Sequence, residues 1–298
     1  MRLGLVCKFY KTPIKFKDTT YRYLKELNHK DRLKKLSSIC LHNSEALLKT
    51  INFCHLNNIG CFRITSRFFP LKTHPEIGYE IDDLPDIKEI IQKLFLCRKT
   101  ASMYNIRLTF HPDQFVILNS PNKDIVKKSI LELKYHNEIA DLVGADVINI
   151  HAGGFYKDKK TSLKRLFEEI SKLDKKIIQK LTIENDDRIY TPSDLINFCI
   201  EYKIPFVYDI LHHRCNPDNL TVKQTTELAL KTWDREPLFH LSSKKIVPGH
   251  KFRCYHADYV DIKDFPHEWK KLKITIEVEA KAKEVAIKKL QKELLSKK

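Results

Sequence analysis

Glycine is scarce in this chain, and other absences exclude several classes of protein. The 298 residues include 7 glycines and 12 prolines, which is far from the composition of a collagenous or low-complexity chain. No apolar run approaches the roughly 20 residues of a membrane span. The apolar segment after Met1-Arg2 is too short for the core of a signal peptide. These absences predict a folded cytoplasmic protein without a membrane partner, associated with the nucleoid if the source is a prokaryote.

The 8 cysteines include no C-x-x-C pair. Such pairs are typical of zinc sites and of thioredoxin-like redox sites. Cys54, Cys61, Cys97 and Cys199 lie inside apolar segments, where thiols usually fill the core. The pattern therefore predicts reduced cysteines in an intracellular protein rather than a disulfide framework.

Positive charge is the strongest bulk signal. The chain has 54 Lys and Arg against 38 Asp and Glu, for a formal net charge of +16 and a pI of about 9.3. Such an excess suits a polyanionic partner, because each phosphate that Lys or Arg neutralises releases condensed counterions. The alternative is that much of the lysine only solvates helix surfaces. The charge favours a nucleic-acid partner.

Short strand-like runs alternate with helical segments along the whole chain. The predicted strands are Leu3 to Val6, Cys61 to Ile64, Arg107 to Phe110, Val147 to Ile150, Leu181 to Ile183, Phe206 to Tyr208, Leu238 to Leu241 and Ile274 to Val278. The predicted helices run from Leu41 to Asn58, and from about 86 to 103, 122 to 142 and 161 to 179, with another starting near Thr191 and a last one from about 280 to 295. No linker or repeat divides them. We therefore predict an α/β fold, a (β/α)8 TIM barrel that forms a single domain over residues 1–298.

A histidine or carboxylate ends or follows most of the later strands. In chain order these residues are His111, His151, Glu184, Asp209 with His212, His240 and Glu279. Any one such histidine is more often a loop or core residue. A closed barrel, however, gathers side chains from the carboxyl ends of several strands in one place, whereas a doubly wound open sheet offers a single switch point. A ligand set of imidazoles and carboxylates without thiolates suits Zn²⁺, Mn²⁺ or similar ions. These strand-end residues therefore predict a divalent-metal enzyme.

Several runs around these residues resemble the motifs of the UV damage endonuclease family. They are 111–115 (HPDQF), 149–154 (NIHAGG), 182–187 (TIENDD), 208–213 (YDILHH) and 278–281 (VEAK), together with 2–4 (RLG) and 73–75 (THP). The resemblance covers nearly the whole chain in order. It implies a TIM barrel related to the endonuclease IV group that incises duplex DNA immediately 5′ to UV photoproducts, leaving a 3′-hydroxyl and a 5′-phosphate. Activity at abasic sites is a further expectation.

The resemblance also implies a set of metal ligands. They are His74, His111, His151, Glu184, Asp209, His212, His240, His256 and Glu279, with His250 as an alternative to His256. We expect two to three divalent ions per chain, with Mn²⁺ favoured and Zn²⁺, Mg²⁺ or Co²⁺ as alternatives. Glu184 is placed to bridge two ions, one completed by His111 and His151 and the other by Asp209, His240 and Glu279, while His212 and His256 would hold a third. Two ions clamp the attacking and leaving oxygens of a phosphodiester. The predicted catalytic residues are Glu184, Asp209, Glu279 and Lys281, the last as a phosphate contact or as a salt bridge at the barrel rim.

Three positions depart from the family pattern. The family's lesion-probing Gln-Tyr pair reads Gln114-Phe115. Phe115 keeps an aromatic ring that can insert between bases as a wedge, but it lacks the hydroxyl of tyrosine. A lysine that some members modify to a metal-binding carbamate is replaced by Leu238, so the third ion is expected to bind more weakly or in another way. Leu5-Val6-Cys7 stands where the family usually carries a tyrosine.

The expected partner is double-stranded DNA containing UV lesions, bound by a monomer. Candidate phosphate contacts in the loops after the strands are Lys8, Lys11, Arg67, Lys157, Arg188, Arg214, Lys244 and Lys245, which would form the electrostatic footprint of a DNA enzyme.

Two rival functions remain open. A sugar isomerase or epimerase on the same barrel would use similar ligands, although the positive charge and the Gln114-Phe115 pair argue against it. A non-catalytic DNA-damage binder would have lost its metals, but three converging carboxylates repel one another without a cation.

Overall fold

Eight parallel strands close into a barrel in the computed structural model, which describes residues 1–247 and 254–296. Each strand pairs with the next one along the chain, and the last pairs with the first. The strands are β1 (Arg2–Val6), β2 (Cys61–Ile64), β3 (Arg107–Phe110), β4 (Val147–His151), β5 (Leu181–Glu184), β6 (Phe206–Asp209), β7 (Leu238–Leu241) and β8 (Thr275–Val278). The predicted TIM barrel is confirmed.

Helices separate the strands along the chain. They are α1 (Tyr21–Leu24), α2 (His29–Leu56), α3 (Ile87–Met103), α4 (Lys123–Val143), α5 (Lys159–Ile170), α6 (Lys175–Ile178), α7 (Pro192–Tyr202), α8 (Ile210–Cys215), α9 (Val222–Leu230) and α10 (Lys283–Ser296), with short 3-10 helices at Ile81–Asp83, Ile262–Asp264 and His267–Lys271. None of the helices in the described ranges is long and apolar enough to span a membrane.

Capping residues define several of the helix boundaries. The Asn122 side chain accepts a hydrogen bond from the Asp124 N–H at 2.8 Å at the start of α4, and Gly144 ends that helix in the left-handed region with φ of 75°. Helix α7 begins with a capping box between Thr191 and Asp194, with Pro192 in its first turn. These are the start and stop signals that a sequence can reveal, and both helices lie where we predicted them.

Other helices differ from the prediction. Helix α2 begins at His29 instead of Leu41, because Asn28 caps it by accepting from the Asp31 N–H at 3.0 Å. Its first turns are dominated by charged residues, so the apolar spacing becomes visible only later. The helix predicted over 161 to 179 is divided into α5 and α6, and α10 starts at Lys283 rather than near 280.

The barrel interior is unusually polar. Arg63, Thr109, Asn149, Thr182 and Glu277 are all buried. The Thr109 hydroxyl donates to the Glu277 carboxylate, although these residues lie on β3 and β8, which are not neighbours in the barrel. Their contact therefore crosses the interior. The main apolar core contains buried residues of both the strands and the helices.

The cysteine prediction was wrong for two of the eight residues. Cys215, at the end of α8, and Cys254 form a disulfide across a sequence separation of 39. Sequence spacing does not reveal this pair, since only the fold brings their Cα atoms to 6.1 Å. The other six are free thiols, and all of them except Cys7 are buried.

Candidate metal centre

The barrel gathers the predicted ligands at one end. His151, Glu184 and Asp209 are the last residues of β4, β5 and β6. The register places His151 beside Glu184 and Asp209 beside His240. Because all eight strands are parallel, side chains at their carboxyl ends share the same rim.

Three groups of side chains have ligand atoms within 4.8 Å of one another. The groups are His111, His151 and Glu184; Glu184, Asp209 and His212; and Asp209, His240 and Glu279. Glu184 and Asp209 each belong to two groups. The two oxygens of a carboxylate can bind different cations. Glu184 and Asp209 are therefore placed to bridge neighbouring cations.

Glu184 lies at the middle of the cluster and is 1% exposed. Its Oε2 is 2.9 Å from His111 Nε2 and accepts from Asn149 Nδ2 at 2.6 Å. Its Oε1 is 3.0 Å from His240 Nδ1 and 3.3 Å from His212 Nδ1. Histidines thus approach both oxygens, and Asn149 fixes the orientation of the carboxylate.

The electrostatics favour the metal-binding charge states of two ligands, Glu184 and His151, and oppose those of three others. Burial raises the pKa of Glu184, but the nearby His240 and His151 and the hydrogen bonds from other histidines outweigh it and hold the pKa well below its usual value. Burial lowers the pKa of His151 to about 4, so that imidazole is neutral near pH 7. Burial raises the pKa of Asp209. Burial opposes the charge of His212 and His240, but nearby carboxylates outweigh it and raise the pKa of His212 well above its usual value and that of His240 to about 10. These two imidazoles therefore lose a proton when they bind a cation. A charged central carboxylate beside a neutral imidazole is a typical pair of metal ligands.

Two buried atoms support a cation in this cluster. Asp209 Oδ2 and His151 Nδ1 have no hydrogen-bond partner. An unsatisfied buried acceptor costs about 1–3 kcal/mol, and each such atom in a folded protein needs an explanation. Both residues belong to the groups above, so the donor set fits divalent cations that accept nitrogen and oxygen ligands.

His256 lies at the edge of the cluster. Its Nδ1 is 2.8 Å from the Glu279 backbone oxygen and 3.5 Å from Glu279 Oε2. Its ring centroid is 6.2 Å from that of His212. The alternative ligand, His250, lies outside the described residues.

His74 is placed in the loop after β2. Its ring stacks on Tyr21 with centroids 4.5 Å apart, and its Nδ1 accepts from the Glu76 N–H at 3.2 Å. Among the residues that the structure describes, His74 does not belong to one of the three groups. Its role as a ligand stays a prediction.

Sequence reasoning missed two buried charges beside the ligands. Arg63 on β2 bonds Glu277 Oε2 through Nε at 2.5 Å and Glu279 Oε1 through Nη2 at 2.5 Å. Burial opposes the charge of Arg63, but Glu277 and Glu279 outweigh it and raise its pKa well above the usual value. The available signal was a single charge inside an otherwise apolar strand, in CFRI and in TIEV.

The position of the missing carbamate is apolar. Leu238 is fully buried and packs with Val147 and Val207. Its side chain offers no ligand atom to a cation, and the weaker third ion stays a prediction.

The predicted lesion-probing pair lies in the loop after β3. Gln114 is exposed, and Phe115 is 73% exposed. Further along this loop Asn119 is buried and joins the loop after β4, because its Nδ2 donates to the Gly154 oxygen at 2.7 Å and its Oδ1 accepts from the Gly154 N–H at 3.0 Å. The predicted lesion-probing pair is therefore carried by a loop whose end is fixed by hydrogen bonds to the loop after β4.

The candidate phosphate contacts follow the strands at the ligand-bearing end, but Arg214 lies in helix α8 and not in a loop as predicted. Lys8, Arg67, Lys157, Arg188, Arg214 and Lys244 each follow a different strand. Arg67 is paired with Asp18 at 2.9 Å, and Arg214 with Asp264 at 3.0 Å. Lys281 is exposed, and its backbone N–H donates to the Ala257 oxygen. Their contacts with DNA stay predictions.

Comparison with known proteins gives the family. The family described as UV-endonuclease UvdE matches residues 1–298. A UV DNA damage endonuclease of Bacillus mycoides (strain KBAB4) is 34% identical over 294 aligned positions, and the match covers 94% of this chain and 89% of that protein. The crystal structure of SacUVDE matches with a TM-score of 0.88 at 29% identity, covering 99% and 98% of the two chains. Endonuclease IV from Thermus thermophilus shares the fold, with a TM-score of 0.61 at 13% identity and coverage of 99% and 100%. The chain belongs to the UV-endonuclease UvdE family.

Proposed function

We propose that this protein nicks duplex DNA immediately 5′ to UV photoproducts, with divalent cations bound at the candidate metal centre. The products are a 3′-hydroxyl and a 5′-phosphate. The family and the names of its relatives support a nuclease for UV-damaged DNA. The observation that carries the metal dependence is the convergence of seven candidate ligands in the three groups above, two of which have a buried atom without a hydrogen-bond partner.

Each part of the cluster has a distinct role in this proposal. Glu184 and Asp209 would be shared between neighbouring cations, His111 and His151 would hold one side, and His240 with Glu279 the other. When bound, divalent ions stabilise the charge that develops on a phosphodiester and make water a better nucleophile. The neutral His151 and the ionised Glu184 require no proton removal before they bind. Mn²⁺ is the favoured ion.

His212 and His256 complete the proposed assignment. His212 lies in the group with Glu184 and Asp209, and His256 is next to Glu279. These two histidines would hold a third ion. Leu238 supplies nothing to it, so we expect the third ion to be the weakest of the set.

Lesion recognition is assigned to the loop after β3. Phe115 is exposed in solvent at the end of the barrel that carries the ligands, although a phenyl ring there gains nothing from water. Gln114 next to it offers amide donors and acceptors. We propose that the pair inserts at the lesion, since a photodimer already weakens stacking and pairing and extruding it costs less than extruding normal bases.

The partner in this proposal is double-stranded DNA, and the active unit is a monomer with a single barrel domain. A net charge of +16 supports the polyanionic partner. Pairing of β1 with β8 uses both ends of the described chain to close one barrel, which supports a single domain.

The decisive experiment is incision of an end-labelled duplex with one thymine dimer. Cutting is measured with Mn²⁺ and with EDTA, beside an undamaged duplex and a duplex with one abasic site. We expect metal-dependent cutting immediately 5′ to the dimer and none of the undamaged strand. Retained lesion binding without any metal-dependent cutting would support a non-catalytic damage binder instead. Cutting at the abasic site would extend the substrate range.

A further inference from the structure

The two ring nitrogens of His240 face different surroundings. Nδ1 is 3.0 Å from Glu184 Oε1, 3.7 Å from Glu279 Oε1 and 4.0 Å from Asp209 Oδ2. All three partners are candidate ligands. Nδ1 is therefore the nitrogen that faces the proposed metal centre.

Nε2 faces away from the centre, toward Glu277 and Arg63. It is 3.1 Å from Glu277 Oε2 and 3.0 Å from Arg63 Nη2. A neutral imidazole that binds a cation through Nδ1 carries its proton on Nε2, and that proton needs an acceptor. A guanidinium only donates, so of these two neighbours the carboxylate alone can accept it.

We propose that Glu277 is the positioning residue of His240: it accepts the Nε2–H and so holds the imidazole with Nδ1 turned toward the cation. This inference rests on the proposed metal centre. Carboxylate partners of metal-binding histidines generally set the orientation of the ring, and losing one lowers metal affinity about 10–100-fold.

Glu277 is itself firmly held in the barrel interior. It is 1% exposed, lies opposite His240 in the pairing of β7 with β8, and accepts from Arg63 Nε at 2.5 Å and from the Thr109 hydroxyl. Arg63 offsets the cost of burying this carboxylate. It also reaches Glu279 Oε1 at 2.5 Å, so the Arg63–Glu277 pair supports two members of the same ligand group.

The competing explanation is that Glu277 only neutralises Arg63. Glu236 provides a matched control for this role at the opposite end of the barrel. It pairs with Arg2 at 2.8 Å and accepts from the Thr275 hydroxyl at 2.6 Å. It therefore has the same kinds of partner, an arginine and a threonine, but precedes β7 instead of facing the centre.

The test is metal binding by the full-length Glu277→Gln protein. Metal-stripped protein is titrated with Mn²⁺ against a chelating indicator, and the number and affinity of bound equivalents are compared with those of the unsubstituted protein. We expect one equivalent to bind about 10–100-fold more weakly, with the others unchanged. Glu236→Gln should bind every equivalent normally.

A spectroscopic readout separates positioning from general stability. In Co²⁺-loaded protein, N–H protons of histidines that bind the ion give shifted and exchangeable proton NMR signals. One such signal should be lost or exchange faster in Glu277→Gln and persist in Glu236→Gln. If Glu277→Gln does not fold, Thr109→Val, which leaves Glu277 charged but with one anchor fewer, should weaken the same equivalent by a smaller factor.

The outcomes distinguish failure of the proposed role of Glu277 from failure of the proposed metal centre. Glu277→Gln protein with unchanged affinity for every equivalent and unchanged N–H signals would overturn the role of Glu277, as would an equal loss in Glu236→Gln. If the unsubstituted protein binds no Mn²⁺ at all, the metal centre itself fails.

Discussion

Glu184 combines burial with contacts to three histidines, and its charge is what makes the cluster suitable for cations. Glu184→Gln keeps the size of the side chain and the hydrogen bond from Asn149 but removes the negative charge. We expect incision of a dimer-containing duplex to fall at least about 100-fold, because stabilisation of charge at the reacting phosphate is the largest contribution in such sites. DNA binding should change little, since Glu184 is buried.

Two assays on the same Glu184→Gln preparation check this expectation. Cutting is measured in single turnover with Mn²⁺, and binding to the dimer-containing duplex by fluorescence anisotropy. Normal cutting by the variant would refute the assignment of Glu184 as the central carboxylate. Loss of binding together with cutting would point to a structural role.

His136 on α4 gives a pH dependence of stability although it is not itself a candidate ligand. It is fully buried. Its Nδ1 is 2.8 Å from the backbone oxygen of Glu132, and its Nε2 has no hydrogen-bond partner. Burial lowers its pKa to about 4, whereas the unfolded chain takes up this proton near pH 6.5. Between these two values only the unfolded state gains the proton, so the free energy of unfolding falls as the pH falls.

The expected loss through His136 is about 3 kcal/mol between pH 6.5 and 4, at about 1.4 kcal/mol per pH unit. His136→Phe has a ring of similar size that does not titrate, so its stability should fall less over the same range. Urea unfolding of both proteins in EDTA measures the difference. Parallel stability curves for the two proteins would contradict the assignment.

At the scale of elements, the barrel and its strands were predictable because each strand is a short apolar run bounded by turn signals. The start of α2 was not, because charged residues hide the helical spacing in its first turns. The contact of Arg63 with Glu277 joins two strands that are far apart in sequence. The disulfide likewise joins two cysteines that only the folded chain brings together. Such details follow from the assembled fold and leave little trace in local patterns.

The same reasoning applies to the candidate centre. Positions after strands indicated the members of the three ligand groups because strand ends meet in a barrel. His74 and His256 were inferred only from the resemblance, and they lie outside those groups in the described residues. The residues that contact the ligands from inside the barrel, Arg63 and Glu277, were missed. They do not stand at strand ends, so no recurring sequence position marks them.

The loop after β3 is an element with a testable function. Gln114→Ala and Phe115→Ala should each reduce the preference for damaged over intact duplex, by roughly 10-fold if stacking contributes about 1–3 kcal/mol. Phe95 on α3 is 65% exposed, close to the 73% of Phe115, and lies away from the strand-end loops. Phe95→Ala is therefore a matched control for the loss of an exposed ring.

Competition binding between dimer-containing and undamaged duplexes measures this preference. The metal content of each variant should equal that of the unsubstituted protein, since Gln114 and Phe115 are exposed loop residues. If both loop variants kept the normal preference for damaged over intact duplex, the proposed insertion of Gln114 and Phe115 at the lesion would be refuted.

At the scale of the whole molecule, the net charge of +16 predicts strongly salt-dependent DNA binding. Each phosphate contact that is lost should lower the slope of log affinity against log salt by about 1. Lys8 and Arg188 are exposed in loops at the ligand-bearing end, whereas Lys99 is exposed on α3. We expect the change in slope for Lys8→Ala and Arg188→Ala but not for Lys99→Ala.

Affinities measured from 50 to 300 mM salt, a range of about 6-fold chosen to define the slope, check this expectation. An equal effect of Lys99→Ala would mean that the protein binds DNA through diffuse charge rather than through the loops.

The disulfide between Cys215 and Cys254 has a consequence for the unfolded chain. It closes a ring across 39 residues that contains β7 with His240, and His212 and His256 lie just outside its two ends. In the oxidised protein these three imidazoles keep a high effective concentration toward one another even after denaturation. Cations that bind the denatured chain stabilise the fold less. Mn²⁺ should therefore raise the melting temperature more in reduced protein than in oxidised protein.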